Sequence, residues 1–126
     1  SPFYERGQEK KPYIHMAGQE TFKFAVTAIC RDCKEILERN GLTFDDIAYI
    51  VPHQANQRII DFASTKLKVP KEKFYLNIHK YGNTSSASIP IALDELNRAG
   101  KLHRGDLLLL PAFGGGLASA CCLVRW

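Results

Sequence analysis

The chain has 126 residues, of which 45 % are hydrophobic, and this is enough for the core of one domain but leaves little for a second. The formal net charge of +4, from 17 basic and 13 acidic residues, is too modest and dispersed for a nucleic-acid-binding groove and suits an anionic partner better. The longest apolar run, residues 107–113, falls far short of the roughly 20 residues that a membrane span needs, and the first residues lack the pattern of a signal peptide. We therefore expect a cytoplasmic protein that binds neither nucleic acid nor membranes.

The first residues of the chain have the composition expected of a linking segment. Residues 1–8 are typical of an exposed or connecting stretch, and a short extended piece is expected around residues 13–16. We interpret residues 1–15 as a linking segment and residues 16–126 as one domain. We also expect the chain to be part of a longer polypeptide.

Hydrophobic periodicity predicts a helix, a strand and a second helix in the first half. The first helix spans about residues 19–40 and ends at Gly41, a residue favoured just beyond a helix C-terminus. Residues 47–51 are rich in β-branched side chains and predict a buried strand that Pro52 ends. Apolar residues then recur at helical spacing over about residues 54–67, which predicts the second helix.

The second half continues the alternation. Residues 74–78 predict a short strand, and a third helix begins somewhere in residues 84–90 and ends near residue 100. An apolar strand at 106–113 is expected to form a hairpin with a last strand at 117–124. The predicted order is α-β-α-β-α-β-β, which favours an α/β sheet layered between helices.

The four cysteines favour packing over metal binding. Cys33 falls on the apolar stripe of the first predicted helix with Cys30 beside it, and free cysteine is usually buried. Cys121 and Cys122 are adjacent, so no second pair has the spacing of a zinc site, which needs four ligands. We expect no metal.

Three polar or glycine-rich motifs stand where predicted strands or turns end. His53 directly follows the first strand, Asn83 lies in a turn after Gly82, and glycines at 114–116 follow Phe113. An imidazole, an amide and bare backbone N–H groups can all stabilise an oxyanion. Singly, each also has a plain interpretation: a structural histidine, a turn former or helix cap, and a tight hairpin turn. No serine or cysteine beside them has the setting of an activated nucleophile.

Together, the motifs resemble a known family. They are VPHQAN at 51–56, YGNTSSASIP at 81–90 and AFGGG at 112–116. This combination resembles the C-terminal half of β-ketoacyl-acyl carrier protein synthase III, a member of the thiolase-fold superfamily, over about residues 16–126. The resemblance implies a thiolase-like layered α/β fold.

The resemblance also implies a decarboxylating Claisen condensation that starts fatty acid synthesis. In the family, an acyl group passes from acyl-CoA to a cysteine, and the enolate of malonyl-acyl carrier protein then attacks it. By motif match His53 and Asn83 would stabilise that enolate, and the Gly115 backbone would serve the oxyanion at the acyl-cysteine carbonyl. Acyl-CoA and malonyl-acyl carrier protein would be substrates, and no cofactor is implied.

Further positions match the family's binding surfaces. Some would line the pantetheine tunnel: Gly18, Phe22, Ala55 and Asn56. Gln54 and Arg58 would contact the acidic carrier protein. Phe22 could equally be a core residue, and Arg58 a solvated helix charge.

The family's nucleophilic cysteine belongs to its N-terminal half, which this sequence does not match. The resemblance therefore implies that this half alone is inactive, that the N-terminal half is its partner, and that the enzyme is a homodimer. Two alternatives stay open: a non-catalytic module that binds carrier protein, and a related acyltransferase or condensing enzyme of secondary metabolism.

Overall fold

A computed structural model describes residues 16–126, so the interpretation of residues 1–15 as a link lies outside the described residues, as does most of the extended piece expected at 13–16. The described chain contains short 3-10 turns at 44–46, 71–73 and 85–87 in addition to its helices and strands. In chain order the helices and strands are α1 (Gly18–Arg39), β1 (Tyr49–Ile50), α2 (Gln57–Leu67), α3 (Ile78–Tyr81), α4 (Ser88–Arg98), β2 (Leu107–Gly114) and β3 (Ala118–Arg125).

The three strands form one sheet in the order β1-β2-β3, with β1 parallel and β3 antiparallel to β2. Backbone hydrogen bonds extend the parallel pairing on both sides of the short β1. The Ala48 N–H donates to the Leu107 carbonyl at 2.8 Å, and the His53 N–H donates to the Pro111 carbonyl at 2.9 Å. Parallel strands run in the same direction, so the carboxyl ends of β1 and β2 lie at the same edge of the sheet.

Helices cover both faces of the sheet. Ile50 and Leu109 are buried in the cluster formed with α1 and α2, whereas their neighbours Val51 and Leu108 are buried in the cluster formed with α4. Successive strand residues point to opposite faces, so β1 and β2 are buried on both sides. This explains why residues 107–113 form an uninterrupted apolar run.

Most element predictions are confirmed. The long first helix, the start of α4 within 84–90 and the hairpin of β2 and β3 are all present. The first strand is shorter than predicted, since only Tyr49–Ile50 has strand geometry. The second helix begins at Gln57 instead of residue 54, because the Asn56 side chain caps it by accepting the Arg58 N–H at 2.9 Å.

The strand predicted at residues 74–78 is wrong. Phe74 makes one isolated parallel bridge to Ile50, and the chain then turns into α3 at Ile78. The Gln54 side chain takes the place of a pairing strand, because its amide donates to the Tyr75 carbonyl at 3.1 Å. A side chain can satisfy such backbone groups but cannot continue a ladder.

The two cysteines of the first helix are buried, which confirms the packing interpretation. Cys30 and Cys33 are 3 % and 0 % exposed, and the Cys33 sulfur lies 3.9 Å from that of Cys121 on β3. Within residues 16–126, no three His, Cys, Asp or Glu side chains gather as a metal site would require. Among the helices described, none combines the length and the apolarity needed to cross a membrane.

The ends of α1 and α2 each have a residue with positive φ, as the end of α4 does at Gly100. Gly41, with φ of +64°, follows α1, and the Leu42 N–H beyond it donates to the Leu37 carbonyl at 3.0 Å. This pattern satisfies carbonyls that the helix end would leave unpaired. Lys68 ends α2 in the same conformation, with φ of +55°, although it carries a Cβ.

These two helix ends give a stability prediction. Gly41→Ala should destabilise the fold by about 1 kcal/mol, because alanine is strained at positive φ. Lys68→Gly should stabilise it by less, since glycine also gains entropy in the unfolded chain. Urea unfolding of the protein that carries this sequence measures both changes. Equal stability of the Gly41→Ala and unsubstituted proteins would contradict the left-handed assignment.

Candidate active site

A cleft of about 620 Å³ opens at the carboxyl edge of the sheet. His53 reaches it from the end of β1, glycines 114–116 reach it from the end of β2, and Asn83 reaches it from the turn after α3. The two motifs thirty residues apart in sequence, and the glycine run beyond them, thus line one cleft. The carboxyl edge is where ligands usually bind on open α/β sheets.

His53 is half-buried and held from two sides. Its ring packs against the Phe113 ring with a centroid separation of 5.3 Å, and its Nδ1 lies 2.8 Å from the Ser88 hydroxyl. Burial lowers the pKa of His53, and the nearby Ser85 carbonyl partly opposes this. Because Nδ1 faces Ser88, Nε2 is the ring nitrogen left for the cleft.

Asn83 is oriented by its own turn. Gly82 before it has φ of +69° and ψ of −159°, a conformation that is essentially restricted to glycine. The Asn83 side-chain oxygen accepts the Ser85 N–H at 3.0 Å, as in an Asx turn. The turn-former interpretation of Asn83 is therefore correct, and because the oxygen is occupied, the side-chain NH₂ is the group free to donate to a ligand.

The glycine run joins β2 to β3. Gly114, Gly115 and Gly116 are exposed and all line the cleft. Among the described residues other than each glycine and its two chain neighbours, no atom lies within 4 Å of where a Cβ would stand on Gly114 or Gly115, so a ligand can approach their backbone closely. The hairpin-turn interpretation and the role of a backbone donor are thus compatible.

The residues expected at a pantetheine tunnel also border this cleft. Gly18 and Phe22 line it from α1, and Ala55 and Asn56 line it from the loop before α2. Phe22 also packs edge-on against Phe62 at 5.4 Å and contacts the buried core, so the core interpretation of Phe22 holds as well.

Gln54 does not lie where a carrier protein could touch it. Its side chain is 2 % exposed and donates to the Pro52 carbonyl at 3.0 Å and to the Tyr75 carbonyl. Its oxygen accepts the Asn77 N–H at 3.1 Å. The expected surface contact is therefore wrong in this structure, because Gln54 ties the His53 loop to the segment that leads to Asn83.

Arg58 remains exposed at the start of α2. Its guanidinium carbon lies 5.7 Å from the centroid of the Phe22 ring, within the range of a cation–π contact. The charge is thus available to a partner at the side of the cleft lined by Phe22. The alternative of a solvated helix charge is equally compatible with this position.

A cluster made of the Glu95 carboxylate and its three hydrogen-bond donors fixes the segment before Asn83. Glu95 of α4 accepts hydrogen bonds from the hydroxyls of Tyr75 and Tyr81, the latter at 2.8 Å, and from the Lys80 ammonium at 3.2 Å. These three donors lower the pKa of Glu95 to about 2. Since Tyr81 ends α3, the cluster anchors the turn of Gly82 and Asn83 to α4.

Ser88 is a site residue that the sequence motifs did not single out. It is 2 % exposed at the first position of α4 and touches both His53 and the loop of Gln54. Ser88 lies within the motif at 81–90, but no role was assigned to it there, and a serine near the start of a predicted helix is typical of a helix cap.

Comparison with known proteins identifies the family. The model of the 3-oxoacyl-[acyl-carrier-protein] synthase III C-terminal domain matches residues 37–126. The chain belongs to this family. It is 49 % identical over its full length to β-ketoacyl-[acyl-carrier-protein] synthase III of Clostridium novyi (strain NT), but spans only 39 % of that relative.

Solved structures of family members show the same fold. The synthase III structure from Aquifex aeolicus VF5 aligns with a TM-score of 0.87 and 51 % identity, covering 90 % of this chain and 37 % of that one. The synthase III structure from Thermus thermophilus aligns with a TM-score of 0.90 and 45 % identity. The alignment covers 100 % of this chain and 39 % of that one. The predicted thiolase-like α/β fold is confirmed, and the chain corresponds to the C-terminal part of a synthase III.

The buried position of Gln54 gives a prediction. Gln54→Ala should destabilise the fold by about 2 kcal/mol, because it leaves the buried Pro52 carbonyl, the partly buried Tyr75 carbonyl and the Asn77 N–H without their partner. Gln57→Ala, at the exposed start of α2, is the matched control and should change stability by less than about 0.5 kcal/mol. Urea unfolding midpoints decide the matter. If the two substitutions change stability equally, the hydrogen bonds of the Gln54 side chain do not stabilise the fold.

Glu95 gives a prediction about pH. Its carboxyl has a pKa of about 2 in the folded protein against an ordinary 4.5, so it stabilises the fold above pH 4.5 and loses that contribution as the pH falls toward 2. Glu95→Gln should therefore flatten the dependence of stability on pH across this range. Glu38→Gln, on the exposed face of α1, is the control. If the free energy of unfolding changes equally with pH in Glu95→Gln and in the unsubstituted protein, the Glu95 carboxylate does not stabilise the fold through this cluster.

Proposed function

We propose that this chain is the C-terminal part of an acyltransferase that condenses acyl-CoA with malonyl-acyl carrier protein to start fatty acid synthesis. One observation carries the proposal: His53, Asn83 and the glycines at 114–116 line a single cleft. The reaction develops negative charge on two thioester oxygens, and each of these groups can stabilise such charge. A module that only bound carrier protein would have no use for two sets of oxyanion donors.

His53 and Asn83 act on the malonyl thioester. Loss of carbon dioxide leaves an enolate whose oxygen carries the new charge, and the enzyme accelerates the step by binding this oxygen more strongly than the ground-state carbonyl. The Asn83 NH₂ is free to donate because its side-chain oxygen is occupied by Ser85. The His53 ring contributes through Nε2, since Nδ1 faces Ser88.

The glycine run serves the other oxygen. Attack of the enolate on the acyl-cysteine produces a tetrahedral oxyanion, and the Gly115 N–H would donate to it. The open space around this residue supports that role, because no side chain in the described part of the chain obstructs the backbone. The cysteine itself would come from the N-terminal half, so this half alone is inactive.

The cleft would receive the pantetheine arm that both substrates share. Gly18, Phe22, Ala55 and Asn56 form its walls, and the apolar Phe22 and Ala55 suit the alkyl parts of the arm. Arg58 stands beside Phe22 and would contact the acidic carrier protein once the arm is inserted.

The remaining proposals concern assembly. The chain would pack against the N-terminal half, and the complete enzyme would be a cytoplasmic homodimer that uses no cofactor. The length match supports a larger enzyme, since the relative from Clostridium novyi is covered only to 39 %.

The function is tested with malonyl-acyl carrier protein and the full-length enzyme. His53→Ala and Asn83→Ala should each slow decarboxylation by about 100-fold or more, as removal of an oxyanion donor does elsewhere. Transfer of the acyl group from acyl-CoA to the cysteine should persist, because neither residue is assigned to that step. His103→Ala and Asn97→Ala, both on exposed surface, are the controls. Unimpaired decarboxylation in both site variants would leave the binding-module alternative.

The role of Arg58 is tested by charge reversal. Arg58→Glu should raise KM for malonyl-acyl carrier protein by about tenfold and KM for acyl-CoA by less, because the carrier protein presents an acidic surface whereas coenzyme A presents only its phosphates. Arg104→Glu is the control, since Arg104 lies before β2 and so at the opposite end of that strand from the cleft. Equal rises in both KM values would indicate a damaged cleft instead of a lost docking contact.

A further inference from the structure

The Ser88 hydroxyl makes three polar contacts. It lies 2.8 Å from the Ser85 carbonyl, 3.1 Å from the Gln54 backbone nitrogen and 2.8 Å from His53 Nδ1. At 2 % exposure it has little access to water, so these contacts use its whole hydrogen-bonding capacity. A hydroxyl has one proton to donate and two lone pairs to accept with.

Two of the three contacts have a fixed direction. The Ser85 carbonyl can only accept, so it takes the single hydroxyl proton. The Gln54 N–H can only donate, so it occupies one lone pair. The other lone pair faces His53 Nδ1, and a satisfied contact there requires a proton on Nδ1. The Ser85 carbonyl also lies near the His53 ring, and it too favours a protonated nitrogen.

We propose that Ser88 is a positioning residue that holds neutral His53 with its proton on Nδ1, so that Nε2 faces the cleft without a proton. This inference rests on the proposed function. If neutral His53 carries its proton on Nδ1, it cannot donate to the enolate oxygen. His53 then donates from Nε2 only after it binds a second proton. The donor would then be a cation, which stabilises an anionic oxygen more strongly than a neutral N–H does.

The surroundings of the ring leave this choice to Ser88. Within residues 16–126, the His53 ring contacts Phe113 of β2, the Ser85 carbonyl and Ser88 of α4, and none of these three groups is charged. Glu20 of α1 is the other titratable side chain among the described residues that line the cleft. The hydroxyl contact is therefore the side-chain restraint on which nitrogen holds the proton, beside the backbone carbonyl of Ser85.

The tautomer is measured directly by nitrogen NMR of the full-length enzyme with labelled histidine, above the pKa of His53. We expect the unsubstituted protein to carry the proton on Nδ1 and Ser88→Ala to shift the population toward Nε2. Ser88→Thr keeps the hydroxyl and should keep the Nδ1 form. Ser86→Ala, on the exposed part of the same motif, is the control. A proton on Nε2 in the unsubstituted enzyme overturns the proposal even if no variant folds.

The pH profile of decarboxylation gives a second readout. In the unsubstituted enzyme the rate should fall about tenfold per pH unit above the pKa of His53, because only the doubly protonated ring donates. In Ser88→Ala this decline should weaken, because the neutral ring can then carry its proton on Nε2. Unchanged tautomer and profile in Ser88→Ala would overturn the proposal.

The proposed function fails separately. If His53→Ala decarboxylates normally, the role of His53 in the reaction is wrong whatever its tautomer. If His53→Ala is inactive but unsubstituted His53 carries its proton on Nε2, the function stands and only the role of Ser88 is overturned.

Discussion

The parallel pairing of β1 with β2 is the constraint on which the site depends. It continues past the end of β1 to the hydrogen bond from the His53 N–H to the Pro111 carbonyl, at 2.9 Å. This bond fixes His53 at the same edge of the sheet as Phe113, and the two rings then pack at 5.3 Å. Because both strands are buried on both faces, the pairing cannot slip without exposing apolar side chains. The position of the imidazole thus follows from the sheet register.

The other half of the site is joined to this frame by polar side chains. Gln54, next to His53, binds the backbone at Tyr75 and Asn77, and Glu95 holds the hydroxyls of Tyr75 and Tyr81. The one isolated strand bridge among the described residues is at Phe74, just before this segment, so side chains supply the hydrogen bonds that a neighbouring strand would supply elsewhere. Buried polar groups that are fully paired give a unique geometry, and here that geometry sets the turn of Asn83.

The sequence was sufficient for the fold class, the long helices, the hairpin and the family, because these depend on local periodicity and on motif residues. It was insufficient wherever a distant side chain decides the outcome. The strand expected at 74–78 is absent because Gln54 satisfies the backbone there, and Gln54 itself is buried although the family resemblance implied that it would contact the carrier protein. Ser88 was missed since its contact with His53 spans 35 positions in the chain.

The same argument separates the residues that perform the proposed chemistry from those that make it possible. Asn83 offers a donor because Ser85 occupies its oxygen, and His53 turns Nε2 to the cleft because Ser88 engages Nδ1. Both restraints come from the short stretch of residues 85–88, which comprises the 3-10 turn at 85–87 and the first residue of α4. This stretch therefore sets the hydrogen-bonding state of two side chains that reach the cleft from different parts of the fold. Only position 88 requires a hydroxyl for this, because Ser85 acts through its backbone N–H, which every residue but proline provides.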